Sequence, residues 1–524
     1  MSRTNRQLSH QRSHSRTLAC TTVPTPVCIS ARPSKTINDL PWNLLQYTFE
    51  QALSVFSDLV VLTHVCSRWR NFALDTPTLW THLTLSMRQL RGPPLQGLLN
   101  RSKNMKIDVD LTLPGAYVDS IEQIFDELRD QMDRVRTLIL RCESPHQIVP
   151  SLRNMLNAAA QSLERFELRM VIPFSIPEYL FMGHAPHLRH LAVHFRHIFA
   201  DRVGPVGCPA LQAVTTLVSL DTHVTPPLND RYSRLLPQLF PKLERLQLCT
   251  AVCPPNEELN IRIYTTEPLS RLEFTVPPAA RNHSLAMHTL HVFDAQRVKN
   301  IVIHDAPSTT VTSLMSQCDG RRITGLVLIF LLRQKLVNFA WRDERGFKRI
   351  FPFASLPRTV LQDMCGTTSQ LANTFSLLFL TDFVISEFVS ASELSEVCSI
   401  LRGKALLKLT IVVADGPAAP AQRSILKPAT LSQSKEIRWP CLESIILCRH
   451  SRIVEFHTDE DGANATMCRE VNADCLFEWL KSSLGYTSIS SSTGAVLPTI
   501  FFKGVVLVGN MNRFAEAWPI VLAS

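Results

Sequence analysis

Glycine is scarce in this sequence, with 17 glycines against 33 prolines in 524 residues. Tight loops that let backbone amides close around a phosphate depend on glycine, so nucleotide-cradling loops are disfavoured from the outset. The specific patterns are absent too. The chain contains no G-x-x-x-x-G-K-[ST], no G-x-G-x-x-G, no G-x-S-x-G and no H-E-x-x-H. Nothing therefore marks a phosphate loop, a dinucleotide fingerprint, a nucleophile elbow or a zinc-protease helix. Fourteen cysteines are scattered without a single C-x-x-C pair. They read as reduced, mostly buried thiols rather than a disulfide framework or a metal site. The nearest metal-like grouping, Cys441, Cys448, His450 and His457, lacks zinc-ligand spacing. No cofactor and no metal are expected.

Long apolar runs are missing as well. Leu326 to Leu332 is short, and Leu377 to Val389 is interrupted by Asp382 and Glu387. Neither reaches the roughly 18–20 residues of a membrane helix, so no membrane contact is expected. Acid is absent from residues 1–36, which hold Arg3, Arg6, Arg12, Arg16, Arg32 and Lys35. That tail accounts for six of the nine net positive charges, leaving +3 for the other 488 residues. No domain-wide basic footprint remains, and nucleic acid is not expected as a partner. The composition of the tail is that of a mitochondrial transit peptide, but its apolar residues are sparse and not helically spaced. It reads instead as a disordered basic tail of a cytoplasmic or nuclear protein.

What is present is a folding chain, 45% hydrophobic and 19% charged. The first organised segment runs from Leu40-Pro41 through Phe49, with Asn38 and Asp39 as cap candidates and Pro41 near the first helical position. Leu44, Leu45, Thr48, Phe49, Ala52 and Leu53 fall on one helical face. Ser57 and Asp58 are placed to cap a second helix, and Leu59, Leu62, Val65, Cys66 and Trp69 continue its stripe, with Arg68 and Arg70 off it. The helical run ends before Pro77, and Leu79-Trp80 leads into the alternating strand His82-Leu83-Thr84-Leu85. A unit of about 45 residues is near the lower limit for folding alone, so it wants a partner.

The order Leu40-Pro41, Leu44-Leu45, Phe49, Leu59, Leu62, Val65-Cys66-Ser67-Arg68-Trp69-Arg70, Ala73 and Thr76-Pro77-Thr78-Leu79-Trp80 resembles the F-box, in particular the F-box-like proteins abundant in mushroom-forming fungi. The resemblance implies that the module binds a Skp-family adaptor held by a cullin scaffold. It places Leu40, Pro41, Leu44, Leu45, Phe49, Leu59, Leu62, Val65 and Cys66 toward the adaptor, and Trp69, Leu79 and Trp80 in the module's own core. The family often carries an acidic residue two places after the proline, where this chain has Asn43.

Beyond the module an L-x-x-L-x-L phrase recurs, as in Val135/Leu138/Leu140, Leu163/Phe166/Leu168, Leu188/Leu191/Val193, Leu243/Leu246/Leu248, Leu269/Leu272/Phe274, Val298/Ile301/Ile303 and Ile323/Leu326/Leu328. Further copies are Leu406/Leu409/Ile411, Leu442/Ile445/Leu447 and Leu497/Ile500/Phe502. Intervals of 25 to 29 residues separate neighbouring clear copies, close to a leucine-rich repeat in which each unit supplies a strand and a return segment. Prolines precede several copies, as in Ala185-Pro186-His187-Leu188 and Phe240-Pro241-Lys242-Leu243, and fit a turn entering the strand. No clear copy appears between 329 and 405, a gap that reads as an insertion or as a pair of units too degenerate to recognise.

The expected fold class is thus α/β: a small three-helix F-box-like module followed by a degenerate leucine-rich-repeat-like solenoid. The divisions are a disordered basic tail over 1–36, the module over 37–83, a connecting helix and strand over 84–134, and the repeat region over 135–524. Function reads as a substrate-receptor subunit of a cullin-type (SCF) ubiquitin ligase, a non-catalytic subunit with an unknown target. The alternative is an interaction scaffold that binds the adaptor or another protein without ubiquitination.

Overall fold

The structure is a computed structural model of the whole chain. It describes residues 37, 40–52, 56–86, 95–113, 118–142, 148–170, 174–177, 179–198, 208–220, 230–251, 267–277, 283–316, 322–331, 336–354, 380–386, 406–413, 442–449, 469–483, 497–503, 505–510, 512 and 520–522. Cys441, His450 and His457 of the metal-like grouping, and the basic tail over 1–36, lie outside these residues.

Three helices open the described chain: α1 (Trp42–Ala52), α2 (Phe56–Val65) and α3 (Ser67–Asp75). Pro41 precedes the first helical residue, and its carbonyl accepts the Leu45 N–H at 3.0 Å, the first bond of the helical ladder. The second helix begins at Phe56, ahead of the expected caps. Asp58 therefore lies inside its first turn, where a carboxylate meets the positive end of the helix dipole. The continuous stripe expected from Leu59 to Trp69 is broken at Cys66, whose extended backbone separates α2 from α3. Arg70, expected off the stripe, donates from Nε to the carbonyl of Thr63 and satisfies an orphan acceptor at the end of α2. A 3-10 turn over Pro77–Trp80 then leads into the first strand.

Among the described residues, seventeen strands form one sheet. Its first nine are β1 (His82–Ser86), β2 (Ile107–Leu113), β3 (Val135–Cys142), β4 (Arg165–Met170), β5 (His190–Val193), β6 (Thr216–Ser219), β7 (Arg245–Leu248), β8 (Arg271–Thr275) and β9 (Asn300–His304). Each lies parallel to the one before it. Next along the chain come β10 (Ile323–Leu331), β11 (Leu336–Asp343), β12 (Lys348–Ala354), β13 (Asp382–Ser386), β14 (Lys408–Val413) and β15 (Ser444–Arg449). Here the order in space departs from the order in sequence. Beside β9 sits β12, then β11, then β10, the last two pairings being antiparallel, and β13 follows on the far side of β10. The parallel run resumes through β14 and β15. A short pair, β16 (Arg469–Asn472) with β18 (Val505–Val508), stands apart from it, while β17 (Thr499–Lys503) and β19 (Ile520–Leu522) extend the main sheet.

The recurring phrase supplies the buried face. Leu138, Phe166, Leu191, Leu217, Leu246, Leu272 and Ile301 stand opposite one another in register across seven strands, all essentially without solvent exposure. Aligned apolar rows of this kind lock register, because a one-residue slip would turn every leucine to the other face. A second lock repeats beside it. The Glu164 carbonyl accepts the N–H groups of Arg189 and His190, that of Arg189 those of Thr215 and Thr216, that of Thr215 those of Glu244 and Arg245, and that of Glu244 those of Ser270 and Arg271. The same arrangement returns at Thr381 and Leu407.

Pro186 and Pro241 are second residues of turns closed by Leu188 N–H to Ala185 and Leu243 N–H to Phe240, where a fixed φ favours the turn. A short helix α4 (Leu95–Arg101), within the stretch expected to hold a connecting helix and strand, buries Leu95, Leu98 and Leu99 ahead of β2. Two units escape the sequence reading. Val214/Leu217/Ser219 ends in a buried serine where the phrase wants an apolar residue, and Leu380/Phe383/Ile385 lies inside the gap where no copy is expected.

Candidate functional site

The helical module is held together by aromatic contacts between α1 and α3. Trp42 stacks on Phe72 with ring centroids 5.0 Å apart, and Phe49 meets Trp69 at 4.9 Å and Phe72 at 5.5 Å, both edge to face. Arg68 secures the start of α1. Its Nη2 donates to the Leu40 carbonyl at 2.9 Å while its guanidinium lies 5.4 Å from the Trp42 ring centroid. Sequence spacing gave Arg68 no such role, because the partner is 28 residues away.

Packing divides the expected binding residues into two sets. Leu45, Phe49 and Leu59 are buried in the chain's own core at 0%, 2% and 2% exposure, so their side chains are not presented to a partner. Leu44 and Val65 are about half exposed, Pro41 is exposed, and Leu40, Leu62 and Cys66 are half-buried. Of the residues expected in the module's core, Leu79 and Trp80 are buried and Trp69 is half-buried.

The outward side of α1 and α2 also carries apolar residues that the helical stripe did not single out. Tyr47 and Val61 are 63% and 62% exposed, and Trp42 and Val60 are exposed on the same two helices. Among the described residues, eight of the thirteen exposed large apolar side chains lie between Ile37 and Leu74. Such concentrations mark interaction surfaces, since a helix apolar on two faces buries only one of them within its own chain.

A family model described as F-box-like matches residues 37–86. Residues 37–86 are an F-box-like domain. The matched segment ends at Ser86, the last residue of β1, so it takes in the whole first strand and runs three residues beyond the expected boundary at Leu83. No curated protein sequence matches the chain. An F-box-like domain implies binding to a Skp-family adaptor, the role of such domains in ubiquitin ligases, and F-box domains are typically non-catalytic. Among the described residues no group of three or more His, Cys, Asp or Glu could hold a metal ion, and no helix is long and apolar enough to cross a membrane.

Beyond the F-box-like domain, the sheet face opposite the apolar row changes character along its length. On β2 to β4, and again on β7 and β8, it carries charged side chains, and its carboxylates are matched to cations. Asp108 is paired with Arg136 and with His82, and Asp110 with Arg141. Glu167 is buried between Arg169 at 2.6 Å and Arg165 at 3.3 Å. Glu273 meets Arg271 at 2.8 Å and His304 at 3.0 Å. Burial pushes the Glu167 carboxyl up, but hydrogen bonds and charge from Arg169 and then Arg165 outweigh it and hold the group below the usual carboxylate range. Burial likewise opposes, and Arg136 and His304 with Arg271 reverse, the shifts at Asp108 and Glu273, which also lie low. From β9 onward the same face turns apolar. Val302, Ile350, Ala340, Val384, Val412 and Cys448 form a second buried cluster. Cys448, from the metal-like grouping, is therefore a packed residue.

Proposed function

We propose that the chain is the substrate-receptor subunit of a cullin-type (SCF) ubiquitin ligase. In this reading the F-box-like domain docks a Skp-family adaptor and the sheet region, a degenerate leucine-rich-repeat-like solenoid, holds the target. The cullin bound to the adaptor brings the conjugating enzyme. The chain performs no bond chemistry. It raises the effective concentration of target lysines at the conjugating enzyme by holding both on one frame.

The observation that carries the reading is the collection of exposed apolar side chains on an F-box-like domain. The docking surface comprises Pro41, Leu44, Tyr47, Val61 and Val65, with Leu40, Leu62 and Cys66 at its margin. Leu45, Phe49 and Leu59 support it from beneath. The solenoid reading draws on the repeated two-donor lock and the aligned apolar rows of the parallel strands.

The test is capture of a recombinant Skp-family adaptor by the full chain, wild type against Leu44→Ala/Val65→Ala. Burying an aliphatic side chain contributes about 1.5–3 kcal/mol, so losing both should weaken capture at least tenfold without a change in melting temperature. Unchanged capture would sink the docking surface. Capture of a cullin together with the adaptor supports the receptor role. Adaptor without cullin would reassign the chain as a non-catalytic scaffold.

A further inference from the structure

We infer that Arg68 is a positioning residue for adaptor docking. Its guanidinium clamps the entry of α1 to the junction of α2 and α3, which sets the two halves of the docking surface in place before the adaptor arrives. The role rests on the receptor reading and adds a part to the same site. Those halves come from different segments: Leu40, Pro41 and Leu44 from the entry and first turn of α1, and Leu62, Val65 and Cys66 from the end of α2. Arg68 follows Cys66 by two residues and reaches across to the first half. Its Nη2 donates to the Leu40 carbonyl at 2.9 Å. That carbonyl belongs to the Leu40–Pro41 peptide bond, which is planar, and the proline ring fixes the next backbone angle. One hydrogen bond therefore orients the Pro41 ring. The Pro41 carbonyl passes that orientation into α1 by accepting the Leu45 N–H at 3.0 Å.

The surroundings of Arg68 argue against a purely local role. It is the second residue of α3, where the positive end of the helix dipole disfavours a cation. No acid lies in that turn, and among the described residues no carboxylate pairs with Arg68. Its contacts go instead to the entry of α1, to the Leu40 carbonyl and to the Trp42 ring, whose centroid lies 5.4 Å from the guanidinium. Trp42 also stacks on Phe72 at 5.0 Å. Arg68 and Phe72 are one turn apart on α3, so a single face of that helix holds the indole at two points. The Leu40 carbonyl precedes the ladder of α1 and has no partner within it. A charged donor makes a stronger hydrogen bond than a neutral one, which suits Arg68 to pin this short segment. An entry ordered beforehand need not be ordered by the adaptor, and binding is stronger by that difference.

The experiment follows association and dissociation of the full chain on an immobilised recombinant Skp-family adaptor by surface plasmon resonance, comparing wild type with Arg68→Met, Arg68→Lys and Leu44→Ala. A clamp that sets the population of docking-ready molecules changes how many can bind, not the complex they form. Arg68→Met should therefore lower the apparent association rate constant about tenfold and leave dissociation unchanged. Arg68→Lys keeps a donor for the carbonyl but not the flat group beside Trp42, and should fall between Arg68→Met and wild type. Leu44→Ala removes a contact and should instead speed dissociation. Hydrogen exchange of the free chain gives an independent readout: residues 40–49 should exchange faster in Arg68→Met, with residues 56–66 unchanged. Faster dissociation of Arg68→Met would overturn the inference in favour of direct contact with the adaptor, and wild-type rates in both Arg68 variants would overturn it outright. Should Arg68→Met fail to fold, the rates and exchange of Arg68→Lys decide. No capture by the wild-type chain would remove the receptor reading and this role with it, whereas wild-type capture unaffected by the Arg68 variants removes this role alone.

Discussion

The indole N–H of Trp80 donates to the carbonyl oxygen of Ala73 at 2.6 Å, in a core from which both residues exclude solvent. Ala73 lies in the last turn of α3, where the helix has no partner of its own for that carbonyl. Trp80 ends the turn that feeds β1, and the Arg101 guanidinium of α4 lies 4.4 Å from its ring centroid. One bond thus joins the F-box-like helices to the sheet, and a single apolar cluster runs from Leu45 through both.

Trp80→Phe should cost about 1–3 kcal/mol, because the Ala73 carbonyl stays buried without a donor. Trp80→Ala adds a cavity and should cost about 3–5 kcal/mol. With a shared core, helical and sheet signals should lose stability together in chemical denaturation. A loss confined to the helical signal would show that the two parts melt independently.

Adjacent leucines on α1 should behave oppositely. Leu45→Ala removes a fully buried side chain and should destabilise the chain by about 2–5 kcal/mol. Leu44→Ala, half exposed, should change stability by no more than about 0.5 kcal/mol. Urea titration of the two single variants separates packing from docking, which a double Leu44/Leu45 variant would confound.

Acid should weaken the sheet. The folded carboxyl groups of Asp108, Glu167 and Glu273 lie below their ordinary values of 3.8, 4.5 and 4.5. The stability they contribute is therefore present above those values and lost as pH falls through the lower folded ones. Melting temperature should hold from neutrality to about pH 5 and drop below about pH 4. Glu167→Gln should be less stable at pH 7 yet lose less on acidification. A wild-type slope retained in that variant would remove Glu167 from the account.

Arg349 should not tolerate lysine. On β12 it stands opposite Ile301 in the otherwise apolar row, buried, and its two terminal nitrogens donate to the carbonyls of Ala295, Val298, Lys299 and Lys348 at 3.0–3.2 Å. A lysine ammonium is a single point with three donors and does not span these acceptors. Both Arg349→Leu and Arg349→Lys should cost about 1–3 kcal/mol or more by leaving buried carbonyls unpaired. Full stability of Arg349→Lys in thermal melts would contradict this.

Much of the architecture follows from the sequence alone. Apolar residues at fixed offsets specify which side of each strand is buried, and the prolines ahead of Leu188 and Leu243 specify the turns, because both are local consequences of backbone geometry. The order of residues from Leu40-Pro41 through Leu79-Trp80 specifies the F-box-like segment by its resemblance to that family. Three matters were decided only by tertiary structure. Unit Val214/Leu217/Ser219 belongs to the row because its neighbours in space complete it, although its serine breaks the phrase. The reversed placement of β12, β11 and β10 depends on pairing between strands far apart in sequence, where an apolar pattern fits several partners equally well. Helical periodicity assigned Leu44 and Leu45 to one face, whereas the shared apolar core buried Leu45 and left Leu44 half exposed, since a stripe states which residues are apolar and only its neighbours determine which of them meet water.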